Sequence, residues 1–152
     1  MTDTQSRPET VPSALDAKLC VAVYRAAHAF TAAYRTLLAP FGLTYPQYLV
    51  LVALWDKAPR TGSELGDLTD LDSGTLSPLL RRLEGAGWVT RSRSRNDARI
   101  VEIGLTDRGR HLEQELAGVP DHLGDCIGVT VPDGDELLAG LHQLTANLRN
   151  AV

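Results

Sequence analysis

Lysine and cysteine are both scarce in this chain of 152 residues, and long hydrophobic runs are absent. The two cysteines, Cys20 and Cys126, are too few and too far apart for a disulfide-rich scaffold. No apolar run approaches the roughly 20 residues that span a bilayer. Residues 1–12 are polar and mix acidic with basic side chains, unlike a secretory leader, so we expect a cytoplasmic protein of about one domain.

The residue patterns of common catalytic and metal sites are also missing. The four histidines do not share a helical spacing with cysteine or acidic partners that would form a metal site: His28, His111, His122 and His142. Neither a glycine-rich phosphate loop nor a Ser-His-Asp arrangement stands out. The sequence therefore predicts a protein without a cofactor, a metal ion or an enzymatic activity.

Positive charge is concentrated in one stretch of an acidic chain. The net charge is −4, yet residues 78–99 contain six arginines against Glu84 and Asp97, a local net charge of +4. Because the chain has only two lysines, this stretch is built from arginine, which suits bidentate contacts to phosphate or guanine. A local basic cluster indicates contact with nucleic acid, although a solvated arginine-rich surface is the alternative.

Apolar spacing and helix-start signals predict a mainly helical chain with one β-hairpin. Residues 1–12 form a disordered tail, and Ser13 with Asp16 begins a helix that continues with three- and four-residue apolar spacing to Pro40. The predicted later elements are a core helix after Thr44, a short helix from Thr61 to Thr69, a helix from Gly74 to Glu84, a hairpin of residues 88–91 and 99–105, a helix after Thr106 that breaks near Val119-Pro120, and a last helix capped by Asp133.

Two short helices joined by a tight turn and followed by a basic hairpin predict a winged helix-turn-helix. The first turn of the second helix would face base edges in the major groove, and the hairpin would lie against the neighbouring minor groove or backbone. We expect Pro78 to cost no helical hydrogen bond there, one of Arg81 and Arg82 to lie at the core edge, and Asp97 to pair with Arg99. The candidate DNA-binding residues are Ser73, Thr75, Ser77, Pro78, Arg81, Arg82, Arg93, Arg95, Asp97 and Arg99.

Each of these signals also has a purely structural interpretation. Helix-turn-helix geometry occurs as plain packing, and serine or threonine at a helix start is a cap far more often than a base reader. The coincidence of the turn, the hydroxyl-rich first turn and the only basic cluster favours DNA binding. A winged-helix module that binds other proteins is the competing interpretation.

Three segments resemble regulators of the MarR family, and within it the organic hydroperoxide resistance (OhrR) group. Residues 71–84, LDSGTLSPLLRRLE, resemble the family's recognition helix, and the hairpin ending Asp97-Ala98-Arg99 resembles its wing. Residues 43–51 and 19–24 also resemble this group. The resemblance implies a winged helix-turn-helix homodimer that binds operator DNA through residues 45–106, with residues 13–44 and 107–152 as dimerisation helices.

The resemblance also gives Cys20 a possible role. Without it, a cysteine on a helix is most simply a small buried hydrophobe, and Tyr34 and Tyr45 fill a helix interface. In OhrR-type regulators the sensing cysteine and two tyrosines match Cys20, Tyr34 and Tyr45. Fourteen positions on one helix span ~21 Å, so Tyr34 can reach Cys20 only from another subunit, with antiparallel first helices.

Cys126 lies where two-cysteine members of that group carry a resolving thiol, and a small residue near a helix break explains it equally well. The resulting hypothesis is a repressor that an organic hydroperoxide releases from DNA by oxidising Cys20. One alternative is a MarR-like repressor released by a phenolic or lipid-like ligand, with Cys20 inert. A thiol peroxidase is less favoured, because the chain lacks an arginine beside Cys20 at helical spacing.

Overall fold

The computed structural model describes residues 14–128 and 131–151, without the side chains of residues 126–127 and 131–133. The predicted tail, residues 1–12, and the predicted helix start at Ser13 lie outside the described residues. The chain divides into a first unit that ends at Tyr45 and a second that begins at Pro46. The described elements are α1 (Leu19–Leu38), a 3-10 turn (Ala39–Phe41), α2 (Tyr45–Asp56), β1 (Arg60–Thr61), α3 (Gly62–Thr69), α4 (Ser73–Gly85), β2 (Val89–Arg93), β3 (Val101–Leu105), α5 (Asp107–Glu115), α6 (Gly118–Ile127) and α7 (Val131–Ala151).

The first unit is dominated by α1. This helix begins at Leu19 and not near Leu15, because Lys18 has extended backbone angles and precedes the first helical residue. The helix is followed by the 3-10 turn, which Gly42 ends in the left-handed conformation at φ 66°. Among the described residues of α1 only Leu38 is buried, so nearly the whole helix surface is exposed in the single chain.

The second unit encloses its own core. As predicted, α2 is a core helix, since Tyr48, Val50, Leu51 and Leu54 are buried. The core is completed by apolar side chains from α3, α4, β2, β3, α5 and α6. Its largest fully buried members beyond α2 are Leu65, Leu83, Val89, Ile103, Leu112 and Leu116.

The predicted hairpin is part of a three-stranded antiparallel sheet in the order β1-β3-β2. Arg91 on β2 and Arg60 on β1 both pair with Ile103 on β3. The strand β1 is not predicted from the sequence, because two residues are too few to show an alternating pattern. The hairpin strands are also shifted, since β2 extends to Arg93 and β3 begins only at Val101.

A close approach between β2 and α5 fixes the base of the wing. A Cβ atom on Gly109 would lie 2.0 Å from the Trp88 carbonyl oxygen, so only glycine fits there. The indole Nε1 of Trp55 donates to the Gly109 carbonyl at 2.9 Å. Thr106 caps α5, as predicted, by accepting from the Gly109 N–H at 2.9 Å. These contacts link α2, the residue before β2 and α5.

Two predicted boundaries in the C-terminal region are wrong. The break near Val119-Pro120 lies instead between Glu115 and Gly118, and Pro120 is in the first turn of α6, where its missing N–H costs nothing. The last helix already includes Val131, so Asp133 is inside the helix and is not its cap.

Candidate nucleic-acid interface and thiol site

The first helix of the helix-turn-helix begins with a complete capping box, as predicted. The Thr61 hydroxyl accepts from the Glu64 N–H at 3.2 Å, and the Glu64 carboxylate accepts from the Thr61 N–H at 2.7 Å. The hydrogen bond from the Thr61 N–H lowers the pKa of Glu64 below its usual value. Both hydrogen bonds fix the direction in which α3 leaves β1.

The turn between α3 and α4 is built from aspartates. Asp70 ends α3 in the left-handed conformation, at φ 56°. Asp72 is the N-cap of α4, and its carboxylate accepts from the Thr75 N–H at 2.9 Å and from the Thr75 hydroxyl at 2.8 Å. The hydroxyl hydrogen bond, followed by the backbone one, lowers the pKa of Asp72. The sequence signal for this cap is weak, because Asp72 is a favourable N-cap residue but Thr75 stands where a complete capping box has glutamate or glutamine.

The first turns of α4 present hydroxyl groups to solvent. Ser73, Thr75 and Ser77 are exposed and Pro78 is half-buried. Because the Thr75 hydroxyl donates to Asp72, its oxygen remains able only to accept from an additional partner. Pro78 is the sixth residue of α4 and not in its first turn, so the expectation that it costs no hydrogen bond is wrong: it removes the donor that would reach the Gly74 carbonyl.

Both arginines in the middle of α4 are exposed. The expectation that either Arg81 or Arg82 lies at the core edge is therefore wrong, because the side chains of Leu79, Leu80 and Leu83 occupy the buried face. The Arg82 Nε donates to the Pro78 carbonyl at 3.3 Å, a long hydrogen bond within its own helix. Both guanidinium groups can therefore reach a ligand on the outer face of α4.

The tip of the wing, residues 94–100, is held by its own side chains. Arg93 donates from Nη1 to the Ala98 carbonyl at 2.7 Å, across the tip. The Asp97 carboxylate accepts from the Arg99 backbone N–H at 2.9 Å. The predicted pairing of Asp97 with the Arg99 guanidinium on a returning strand is therefore replaced by an Asx-type turn that precedes β3.

This turn leaves three arginine side chains exposed on one short hairpin: Arg93, Arg95 and Arg99. Arg91, at the middle of β2, lies 4.0 Å from the Glu84 carboxylate and is partly neutralised by it. The free positive charge is thus greatest at the tip, where a nucleic-acid backbone would meet it.

Cys20 lies in the first turn of α1, as its second residue, and its side chain is exposed. The default expectation of a buried packing residue does not describe it in the single chain. The first turn of an α-helix carries the positive end of the helix dipole, which favours an anion at this position. Cys126 lies in α6, and its side chain is outside the described residues.

Tyr34 and Tyr45 come together within the first unit. Their rings stack with centroids 4.3 Å apart and an interplanar angle of 16°. Partial burial raises the pKa of Tyr45, so its phenol keeps its proton across the physiological range. The pair therefore places two phenol groups side by side, with Cys20 fourteen positions away from Tyr34 along α1.

Comparison with known proteins agrees with this arrangement. Residues 43–101, from the end of the first unit through α2–α4 to the start of β3, match the MarR family. The chain is 49% identical over 137 residues to the HTH-type transcriptional regulator TtmR of Methylorubrum extorquens, covering 90% of this chain and 70% of the relative. It is 38% identical over 123 residues to the organic hydroperoxide resistance transcriptional regulator of Bacillus subtilis, covering 81% and 82% of the two chains.

Solved structures of AbfR, a protein of Staphylococcus epidermidis, resemble the fold described above. Reduced AbfR bound to DNA superposes with a TM-score of 0.78 at 35% identity, covering 88% of this chain and 91% of that one. Overoxidised AbfR bound to DNA and disulfide-formed AbfR give TM-scores of 0.72 and 0.61 at 37% and 38% identity. These likenesses confirm the predicted mainly helical winged helix-turn-helix fold.

Among the described residues no single helix is long and apolar enough to cross a bilayer, although α1 with its 3-10 turn and α2 together have the required length and composition. The relatives are transcriptional regulators, in agreement with the prediction that the chain is not an enzyme. The helix-turn-helix, its arginine-bearing wing and these likenesses together show that the chain belongs to the MarR family of DNA-binding transcriptional regulators.

Proposed function

We propose that this regulator is a dimeric repressor which organic hydroperoxides release from its operator by oxidising Cys20. The observation that carries the proposal is an exposed thiol in the first turn of α1 together with a stacked pair of phenols, Tyr34 and Tyr45, that includes a residue of the same helix. The relatives named for hydroperoxide resistance and solved in reduced, overoxidised and disulfide states support it.

A second copy of the chain is the natural cover for α1. The helix exposes several large apolar side chains, of which Leu19 and Tyr24 are 66% and 64% exposed, and Val23 and Phe30 are 38% and 39% exposed. Burying a side chain of this size stabilises an interface by about 1.5–3 kcal/mol. Residues 13–44 and 107–152 then form the dimerisation region, and residues 45–106 form the DNA-binding domain.

An antiparallel arrangement of the two α1 helices brings the sensor together. Cys20 and Tyr34 of one chain are ~21 Å apart along the helix axis, beyond the reach of a tyrosine side chain. In the antiparallel dimer the partner subunit's Tyr34 and the partner subunit's Tyr45 lie beside Cys20. Their hydroxyls donate hydrogen bonds to the sulfur, and the N–H groups of the first turn of α1 add partial positive charge, so the thiolate is stabilised.

Oxidation begins when the Cys20 thiolate attacks one peroxide oxygen. A sulfur–oxygen bond forms, the O–O bond breaks, and the departing alkoxide takes a proton to become an alcohol, which leaves Cys20 as a sulfenic acid. A second thiol, from Cys126 of the partner subunit or from a small thiol, then attacks the sulfenic sulfur. A disulfide forms and one water molecule is released.

The DNA contacts translate this change into release. The proposed base and phosphate contacts come from Ser73, Thr75, Ser77, Pro78, Arg81 and Arg82 of α4, and from Arg93, Arg95, Asp97 and Arg99 of the wing. The recognition helices of the two subunits bind neighbouring half-sites only when the centres of those half-sites are one DNA turn apart, about 34–36 Å. Loss of the sulfur–phenol hydrogen bonds shifts the dimerisation helices, so both heads can no longer bind at once.

The test compares the wild-type protein with Cys20→Ser in gel shifts on operator DNA, before and after cumene hydroperoxide. We expect both proteins to bind when reduced and only the wild type to leave the DNA after oxidation. Release of Cys20→Ser to the same extent as the wild type would contradict the proposal. The Tyr34→Phe variant is expected to react about tenfold more slowly, because the thiolate loses one hydrogen bond.

The role of Cys126 is tested separately by mass spectrometry and non-reducing gels of the oxidised protein. A covalent dimer that links Cys20 to Cys126, and that disappears in Cys126→Ser, identifies Cys126 as the resolving thiol. A monomer carrying a small thiol on Cys20 assigns the resolving role to that small thiol.

One observation favours release by a ligand as a second candidate. A pocket of about 390 Å³ in the second unit is lined mainly by apolar and aromatic side chains, including Tyr48, Val52, Trp55, Leu116 and Pro120. A phenolic or lipid-like molecule fits this chemistry. The test adds salicylate to Cys20→Ser bound to operator DNA. Release of this variant, and no release when Val52→Phe also fills the pocket, would assign the trigger to this pocket.

A further inference from the structure

The C-terminal helix α7 touches the turn of the helix-turn-helix through one arginine. Arg149, in the last turn of α7, forms an ion pair with the carboxylate of Asp70, which lies 79 residues earlier in the turn between α3 and α4. Almost every other described side chain of α7 is exposed. Among the described residues, this is the ion pair that joins the end of α7 to residues 45–106, the DNA-reading head.

The backbone at Asp70 has a conformation that few residues other than glycine adopt. Among the described residues, Asp70 is the only one other than glycine with a positive φ, 56°. Glycine adopts this left-handed conformation without a steric cost, and asparagine and aspartate adopt it more often than other residues. The ion pair gives a reason for a charged residue at a position where glycine is easier.

The surroundings of the ion pair separate two explanations of its effect. A groove of about 940 Å³ runs beside the first turn of α4, and Asp67, Asp70, Asp72, Arg91 and Arg149 all line it. Three carboxylates this close to a DNA-reading helix repel phosphate. If Arg149 acts only by neutralising them, removing the charge of Asp70 strengthens DNA binding, whereas if the ion pair holds the turn, the same change weakens it.

We propose that Arg149 is a positioning residue for operator recognition, acting through Asp70 to hold the helix-turn-helix turn against the end of α7. Recognition helix α4 begins three residues after Asp70, so a fixed turn fixes the entry angle of α4. At 21 residues, α7 is a rod of ~31 Å. This proposal rests on the dimerisation role proposed for α7. A helix held in the dimer interface also holds the turn at Asp70 in place, because Arg149 joins the two.

The apolar face of α7 supports that anchoring. Leu137, Leu138, Leu141 and Leu148 are all exposed, between 43% and 57%, in the single chain. Leu148 immediately precedes Arg149, so the apolar face and the ion pair meet in the same turn of the helix. A partner subunit that covers these leucines would immobilise the turn that carries Arg149.

The deciding experiment measures operator affinity of reduced Asp70→Asn in a Cys20→Ser background without peroxide. Asparagine keeps the shape of the side chain and tolerates the left-handed backbone, so only the charge is lost. We expect binding to weaken by roughly two- to tenfold, the range that two exposed ion pairs per dimer allow. Binding as tight as that of the parent, or tighter, overturns the proposal.

The matched control is Asp67→Asn, which removes one negative charge from the same groove without touching the ion pair. We expect this variant to bind DNA as tightly as the parent or slightly more tightly. Weakening equal to that of Asp70→Asn would show that any carboxylate in the groove has the same effect, and would overturn a specific role for Asp70.

Variants of Arg149 complete the test. Arg149→Ala should weaken binding as much as Asp70→Asn, Arg149→Lys should restore most of the affinity, and the double variant should be no weaker than either single one. The slope of log affinity against log salt should stay unchanged, because a phosphate contact by Arg149 would reduce it by about 0.9 per contact. A reduced slope, or additive losses, overturns the positioning role.

Light scattering on each variant separates this proposal from the function on which it rests. We expect every variant to remain a dimer. A wild-type protein that is monomeric at the same concentration removes the proposed dimer itself, while a dimeric wild type and a monomeric Arg149→Ala show that Arg149 supports the interface and not the turn.

Discussion

The DNA-reading head and the helices α1 and α7 bury their apolar residues in opposite ways. The head encloses a core of fully buried side chains such as Leu65, Leu83 and Ile103. In contrast, α1 buries only Leu38, and α7 exposes four leucines. A region that satisfies its apolar surface within one chain can fold alone, whereas a region that does not requires a second surface. The same sequence thus specifies a DNA-reading head whose core is buried within one chain, and two helices whose apolar surface is exposed in the single chain.

The largest effect is expected when Gly109, which packs against the Trp88 carbonyl, is replaced. In Gly109→Ala the new methyl group would overlap the Trp88 carbonyl, so we expect the free energy of unfolding to fall by about 3 kcal/mol. Urea denaturation followed by tryptophan fluorescence measures it, since Trp55 and Trp88 both lie in the head. The control Gly85→Ala, where a Cβ meets nothing within 4 Å, should leave stability unchanged or slightly raised; a loss as large as that of Gly109→Ala would contradict the steric explanation.

The second largest effect is expected from variants that disrupt the proposed dimer interface of α1 and leave the DNA-reading head folded. Val23→Asp with Phe30→Asp places charge on the exposed apolar surface of α1, and we expect the dimer dissociation constant to rise at least about 100-fold. Analytical ultracentrifugation measures this constant, and tryptophan fluorescence should show a folded head. Leu68→Asp, on an exposed leucine of the head, is the control that should stay dimeric. If the double variant sediments with the same dimer mass as the wild type, the interface does not include this surface of α1.

A smaller effect, on operator affinity, is expected from variants of the wing, which belongs to the DNA-reading head. Arg95 is exposed at the tip, so Arg95→Ala should weaken operator binding about tenfold and reduce the salt dependence by about one phosphate contact per subunit. Fluorescence anisotropy at several salt concentrations measures both quantities. Arg35→Ala removes the same charge from the last turn of α1 and should leave both nearly unchanged. Equal losses in the two variants would mean that net charge alone guides binding.

The smallest effect concerns the pH dependence of the cap on α4. Because hydrogen bonds from Thr75 hold the pKa of Asp72 below its ordinary value of 3.8, this carboxylate stabilises the fold above that value and loses its contribution as the pH falls through the lower, folded pKa. Urea midpoints between pH 6 and pH 2.5 should therefore fall less steeply for Asp72→Asn than for the wild type. Asp67→Asn serves as the control, and identical curves for the wild type and Asp72→Asn would contradict the cap.

The parts of the fold that were predicted correctly depend on residues close together in sequence. The capping box of Thr61 with Glu64, the cap at Thr106, the core helix α2 and the arginine-bearing hairpin all follow from patterns within a few residues. Local errors arose where such signals were weak: α1 begins at Leu19, α4 is capped by Asp72, and Pro78 lies deeper in its helix than expected.

The candidate site was predictable to the same degree. The basic hairpin and the hydroxyl-rich start of α4 could be predicted from composition and order alone, and the resemblance to known regulators directed attention to Cys20 and its tyrosines. The exposure of both Arg81 and Arg82 depended on which face of α4 the leucines bury, and that is a property of the packed core.

Sequence by itself determined that this chain is a winged helix-turn-helix with its positive charge on the wing, because periodicity, capping and charge act over neighbouring residues. Only the tertiary structure decided the third strand, the glycine contact between Trp88 and Gly109, the stacking of Tyr34 on Tyr45 and the ion pair of Asp70 with Arg149. These contacts join residues that are between 11 and 79 positions apart, and each depends on how the intervening elements pack.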